Sequence, residues 1–124
     1  MLILSRRVGE NIRIGDNTVL TVAYIGRDTV RLRVGSPLQL KLLSVHALTD
    51  IPAIIDPQRV ILLIGNDQAL QIGADIRVQA VSVRGAQLQL GIAAPRHVQV
   101  HREEVFERIQ RGEATSFSRR VAHV

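Results

Sequence analysis

Thr29-Val30-Arg31-Leu32-Arg33-Val34-Gly35-Ser36-Pro37 returns 58 residues later as Gln87-Leu88-Gln89-Leu90-Gly91-Ile92-Ala93-Ala94-Pro95. Both stretches alternate apolar with polar or small residues, the period of a strand with one buried face. In the first, Val30, Leu32 and Val34 take one face and Arg31 and Arg33 the other. In the second, Leu88, Leu90 and Ile92 take the buried places. Each run ends at a proline, which donates no hydrogen bond and breaks a ladder. The same shift, applied without a gap, lays Ile3-Leu4 on Ile61-Leu62 and Ile14-Gly15 on Ile72-Gly73. Apolar Leu2, Ile12, Leu20, Ile25, Leu40 and Leu42 then meet Val60, Leu70, Val78, Val83, Val98 and Val100. Coincident glycines and prolines set this apart from chance alternation, so the chain reads as two copies of one unit.

Working outward, the first copy breaks into five short strands. Met1 to Arg7 is an apolar run ending in two arginines, Asn11 to Ile14 alternates, and Thr18 to Ile25 is β-branched and apolar. Thr29 to Val34 follows, then Leu38 to Leu43. Turn signals at Gly15-Asp16-Asn17, Gly26-Arg27-Asp28 and Gly35-Ser36-Pro37 separate them. Short strands joined by tight turns predict an antiparallel meander or small barrel. Copy one spans 1–43. Residues 44–58 carry Pro52 and Pro57 and fit neither period, which predicts a linker whose apolar residues pack on the body. Copy two spans 59–112 and alone continues into a helix, Glu103 to Arg111. Val105, Phe106 and Ile109 share one helix face, acids open it and Arg108 and Arg111 close it, as the helix dipole favours. Gly112 suits a C-cap. The basic tail 113–124, with Arg119-Arg120, reads as mobile. The predicted fold is all-β with one short C-terminal helix.

Composition narrows the function. Of 124 residues 46% are hydrophobic but only 2% aromatic, so the core must be aliphatic. The net charge is +5, and Lys41 is the only lysine among 16 basic residues. Arginine, with its planar fork, is the better reader of phosphates and base edges. The absence of cysteine excludes a disulfide scaffold, thiolate metal sites and a cysteine nucleophile. No apolar run reaches the ~18 residues of a membrane span. The first charges follow the first apolar residues, the reverse of a secretory signal. A soluble cytoplasmic protein is expected. His97 and His101 are four apart, but in a strand that is ~13 Å, too far to share an ion. There is no phosphate-loop spacing and no nucleophile triad, so neither a cofactor nor catalysis is expected.

Met1-Leu2-Ile3-Leu4-Ser5-Arg6-Arg7-Val8-Gly9-Glu10, followed by Ile14-Gly15-Asp16, closely resembles the opening of the carbon storage regulator family, CsrA/RsmA. That family's second hallmark is present in the other half, as Gly91-Ile92-Ala93-Ala94-Pro95 and Val98-Gln99-Val100-His101-Arg102-Glu103-Glu104. The resemblance implies an interleaved dimer of five-stranded chains, in which the first and last strands of one copy sit in the partner's sheet. It implies two RNA sites, each built from the first strand of one copy and the last strand of the other.

Here the losses are complementary. Copy one keeps Leu4-Ser5-Arg6-Arg7, but its fifth strand ends in Leu43 and Ser44 where His-Arg is expected. Copy two keeps the last strand, while the gapless shift places Ile64 and Gly65 on Arg6 and Arg7. Paired as a single-chain pseudo-dimer, the halves rebuild one site. The expected RNA-binding residues are Leu4, Ser5, Arg6, Arg7, Ala94, Pro95, Val100, His101, Arg102 and Glu103. Arg6, Arg7 and Arg102 would contact phosphates and bases. Leu4, Ala94, Pro95 and Val100 would form an apolar floor, and Glu10 and Glu103 would orient arginines. Glu104 is expected to serve only the helix. The implied partner is single-stranded or stem-loop RNA with a GGA motif, in messenger leaders or small regulatory RNAs, and neither DNA nor a membrane. With so few aromatics, backbone groups and arginines rather than stacking would read the bases. A competing class is a protein-interaction module or antagonist of such regulation, docking a partner of the flagellar-assembly-factor type.

Overall fold

The computed structural model describes residues 1–45, 49–52, 54–65 and 67–110. The expected C-cap Gly112 and the tail 113–124 lie outside the described residues, as do the side chains of Phe106 and Ile109. The strands are β1 (Leu2–Arg6), β2 (Asn11–Ile14), β3 (Thr18–Ile25), β4 (Thr29–Gly35), β5 (Leu40–Ser44), β6 (Thr49–Asp50), β7 (Val60–Leu63), β8 (Gln68–Ile72), β9 (Ile76–Arg84), β10 (Gln87–Ala93) and β11 (Val100–Arg102). One helix, α1 (Glu103–Gln110), follows. No helix among the described residues is long and apolar enough to cross a membrane.

Two antiparallel sheets exchange their outer strands. The first runs β1-β10-β9-β8-β5-β6 and the second β11-β2-β3-β4-β7. Each therefore holds the three central strands of one copy, flanked by the first and last strands of the other. The halves clasp each other as the resemblance implied. The central strands repeat in detail. Ile12 faces Leu20 as Leu70 faces Val78, and the β3–β4 register breaks between Val22 and Tyr24 as the β9–β10 register breaks between Ala80 and Ser82. Ala23 and Val81 are thus matching bulges, in which one extra residue bends the strand and adds twist. One aliphatic core draws on both sheets, with Leu32, Leu62, Leu70, Leu88 and Leu90 all fully buried. Burying a leucine of this kind is worth roughly 1.5–3 kcal/mol, so interleaving makes neither half a self-sufficient core.

The gapless alignment holds for the central strands and fails for the outer ones. Val60 opposes Leu32 as Leu4 opposes Leu90, a separation of 56 residues between equivalents. Leu40 opposes Ile72 as Val100 opposes Ile14, a separation of 60. Backbone bonds agree. The N–H of Gly9 donates to Val22 O at 2.7 Å and that of Gly65 to Ala80 O at 2.7 Å. Likewise Gly15 N–H donates to Gln99 O and Gly73 N–H to Gln39 O. The counterparts of Arg6 and Arg7 are therefore Leu62 and Leu63, not Ile64 and Gly65. Those of His101 and Arg102 are Lys41 and Leu42, not Leu43 and Ser44. The cause is the strand's period of two: a slip of two residues keeps every side chain on its face, so hydrophobic pattern alone does not detect it.

The linker departs from expectation as well. Thr49-Asp50 forms β6, pairing with Ser44 and Leu43, and Ile51 N–H donates to Leu42 O at 2.8 Å. Ladder hydrogen bonds, not only apolar packing, fasten this segment to the body.

Candidate nucleic-acid interface

β1 and β11 are the end strands of different sheets, and among the described residues each leaves one row of backbone N–H and C=O groups without a neighbouring strand. Such edges are ready partners for another chain. Arg6 ties the two edges together. It is only 5% exposed, since strand parity places it on the inward face with Leu2 and Leu4. Its Nη2 donates to Glu104 Oε1 at 2.9 Å, and its Nη1 to Glu104 Oε2 and to Asn11 O, both at 3.2 Å. Glu10 Oε1 lies 3.8 Å from its Nε. This two-pronged arginine–carboxylate pair is a strong, orientationally fixed contact, and it docks α1 against β1. Arg6 is buried and its guanidinium is engaged within the protein, where a direct phosphate or base contact was expected.

Glu104, expected only to serve the helix, is thus the anchor of the site. Hydrogen bonds from Arg6 hold its carboxyl below the usual carboxylate range, against a smaller opposing effect of burial and with help from the charges of Arg6 and Arg102. Because the folded-state pKa is lowered, this contribution to stability is present above the ordinary carboxylate range. It is lost as pH falls through the lowered value. Glu104 is half exposed, so the effect is modest. Glu104→Gln is expected to lower the Tm at neutral pH by about 2–5 °C. In acid its melting curve should converge on that of the unmodified chain; parallel curves down to pH 3 would disprove the assignment.

Glu103 meets Arg13, whose Nε donates to Glu103 Oε2 at 3.0 Å. Arg102, in the last place of β11, keeps its side chain 40% exposed, with Nε 3.6 Å from Glu104 Oε1. That Nε is buried and has no hydrogen-bond partner among the described residues, so the guanidinium is aligned by charge but not saturated. Arg7 is exposed, and its backbone N–H donates to Glu10 Oε1 at 2.7 Å. The turn after it closes with Glu10 N–H to Arg7 O at 3.0 Å, and Gly9 there has φ +89°. That left-handed conformation suits glycine.

At the other end of β1 and β11 lies an open cavity of about 260 Å³, lined in part by Met1, Leu2, Ala94, Pro95, Arg96 and Val100. Three of the four residues expected in an apolar floor are in it. Leu4 is not: it is buried in the core, and Leu2 takes its place. Ser5 is exposed on the opposite face of β1. His101 is buried, with Nε2 3.1 Å from Gln99 Oε1. It packs the strand instead of presenting an imidazole to solvent. Met1 and Leu2 were missed as lining residues, although parity with Leu4 marked Leu2 as inward.

The opposite combination of strands differs in kind. Leu62 and Leu63 stand in the places of Arg6 and Arg7, and Lys41 and Leu42 in those of His101 and Arg102. Lys41 is paired with Asp50 at 3.5 Å, and β6 pairs with Leu43 and Ser44 at the end of β5.

Comparison with known proteins gives a consistent picture. The CsrA family, described as a global regulator protein family, matches residues 1–44 and 61–111. The protein called translational regulator CsrA in Bacillus subtilis (strain 168) is 50% identical over 44 residues, 36% of this chain and 60% of that one. Its namesake in Bacillus velezensis (strain DSM 23117 / BGSC 10A6 / LMG 26770 / FZB42) is 39% identical over 54 residues, 42% of this chain and 73% of that one. The match to the first relative thus spans less than two thirds of its length. No solved structure matches the chain.

Proposed function

The chain belongs to the CsrA family of global regulators, and we propose that it is a cytoplasmic RNA-binding post-transcriptional regulator with one GGA-reading site. The observation that carries this reading is the convergence of two strand edges without a neighbouring strand among the described residues, β1 and β11, locked by Arg6 and Glu104 with Arg7 exposed and Arg102 partly exposed beside them. Backbone groups of the two edges would hydrogen-bond unstacked base edges, the two arginines would hold guanine acceptors and phosphates, and Ala94, Pro95 and Val100 would support a base face. The target would be a GGA-containing loop in a messenger leader or small regulatory RNA. The mechanism is occupancy: RNA held over a ribosome-binding site is not available to the ribosome.

One site per chain follows from the asymmetry of the two ends. The second strand combination offers no arginine at the equivalent places, and Ile51 N–H takes up the backbone carbonyl of Leu42, the counterpart of Arg102. A chain with one site forgoes the avidity of bridging two motifs on one transcript. Titration with a GGA hairpin, read by calorimetry and native mass, should saturate at one RNA per chain. Two equivalent sites per chain would overturn the reading.

A further inference from the structure

The duplication has left the outer faces of the two sheets with different chemistry. Outward positions of the five-stranded sheet carry Arg13 and Arg31, where the six-stranded sheet has Gln71 and Gln89. Arg33 stands where the other sheet has Gly91. The linker turn at Asp56 to Arg59 adds one more arginine beside them, held there by Val34 N–H donating to Pro57 O at 2.8 Å. The result is a cleft of about 500 Å³, lined by Val8, Gly9, Arg31, Arg33, Asp56 and Arg59. Arg33 and Arg59 are exposed and Arg31 half-buried. Among the described residues none of the three has an ion-pair partner at salt-bridge distance. Asp56, the acid in the cleft, spends Oδ1 on the backbone N–H of Gln58 at 2.9 Å. Arg31 lies over the exposed ring of Tyr24, 5.6 Å from its centroid, which orients the guanidinium; Tyr24 lines the adjoining pocket, which shares Arg31 and Arg59 with the cleft.

We infer that this cleft is a second RNA-binding surface, which takes the phosphate backbone of nucleotides flanking the GGA motif. The inference rests on the function proposed above and extends it. Continuity with the first site identifies the occupant. Arg7, just past the end of β1, is followed directly by Val8 and Gly9, which line the cleft. A strand leaving Arg102 and Arg7 therefore crosses the β1–β2 turn onto Arg33, Arg31 and Arg59. Three guanidiniums with no carboxylate salt-bridge partners beside a single acid attract a polyanion whatever its sequence, and an aromatic–arginine pair suits an unstacked base. The six-stranded sheet lacks this cluster: Ser82 Oγ there donates to Gln89 Oε1 at 2.7 Å, and its exposed Arg77 stands opposite Gln71 and Ala93.

Two RNAs test this: a minimal GGA oligomer of about eight nucleotides, and the same motif with about ten uridines added on each side, near the span of such surfaces. For the unmodified chain the extension should raise affinity about tenfold at low salt and steepen the salt dependence. The variant Arg31→Gln/Arg33→Gln/Arg59→Gln removes all three charges and gives position 31 the glutamine of the other face. It should bind the short RNA normally, lose the gain from extension, and show a salt slope smaller by about 2 for the long RNA. Arg59→Gln alone, on an exposed turn, should lose part of the gain with no change in melting temperature. If the unmodified chain binds the short RNA and extension adds nothing, the second surface is refuted alone; if it binds neither RNA, both readings fall. A triple variant that keeps the full gain also refutes it and leaves an acidic protein as the occupant of the cleft.

Discussion

Arg102→Ala is expected to weaken binding of a GGA-containing RNA by about 5- to 150-fold, the value of one good bidentate base contact of ~1–3 kcal/mol. The fold should be unaffected. The backbone of Arg102 pairs with Ile12, and the burial at this end belongs to Val100, His101 and Val105. Its guanidinium is partly exposed and only loosely engaged by Glu104, so little native-state packing is lost. Arg84→Ala is the matched control: an exposed arginine at the end of β9, in the six-stranded sheet. It should change affinity only by the small electrostatic effect of one distant charge. Fluorescence anisotropy titration at fixed salt, paired with thermal melts, separates the outcomes. Equal, small losses for both variants would mean that Arg102 acts through net charge alone, and the proposed reading of bases would be lost with it.

Much of this was legible in the residues themselves. Strand β3 falls where its β-branched run begins and ends, and the crossing of outer strands followed from the family resemblance together with complementary losses. What stayed hidden has specific causes. The two-residue slips of β5 and β7 preserve inside and outside, so alternation is blind to them. A two-residue strand such as β6 is too short to display any period. Arg6 and Arg7 are the same residue side by side, yet one is buried and the other exposed. Parity with Leu2 and Leu4 contained that answer, but a buried arginine is credible only with a partner, and Glu104 lies 98 residues away in the chain. The glycines that anchor the true equivalence, Gly9 and Gly65, are recognisable only once their backbone bonds are seen, because Val8-Gly9 and Ile64-Gly65 fit several alignments equally well.

The same equivalence predicts a large asymmetry in stability. Leu62→Arg places a guanidinium where the structure keeps a fully buried leucine, at the site that corresponds to Arg6. Arg6 is tolerated because Glu104 meets it with both oxygens and Asn11 O accepts a further bond. At the positions that correspond to Arg102, Glu103 and Glu104, the other copy carries Leu42, Leu43 and Ser44, none of them a carboxylate. An uncompensated charge in such a place costs about 3–5 kcal/mol, a large fraction of the 5–15 kcal/mol that holds a typical domain folded. Urea denaturation should show the midpoint falling accordingly, or the chain should fail to fold. Leu62→Ala gives the scale for cavity loss alone, about 2–5 kcal/mol, and leaves no charge behind, so its loss should not depend on salt. Ile64→Arg is the decisive comparison. The gapless alignment makes residue 64 the counterpart of Arg6, but the structure places it half-buried beyond the end of β7, where a long side chain can reach water with its head. It should cost less than about 1 kcal/mol. A chain that accepts arginine at 62 and rejects it at 64 would return the equivalence to 58 residues throughout, and the contrast between a working and a closed end of the molecule would have to be redrawn around Ile64 and Gly65.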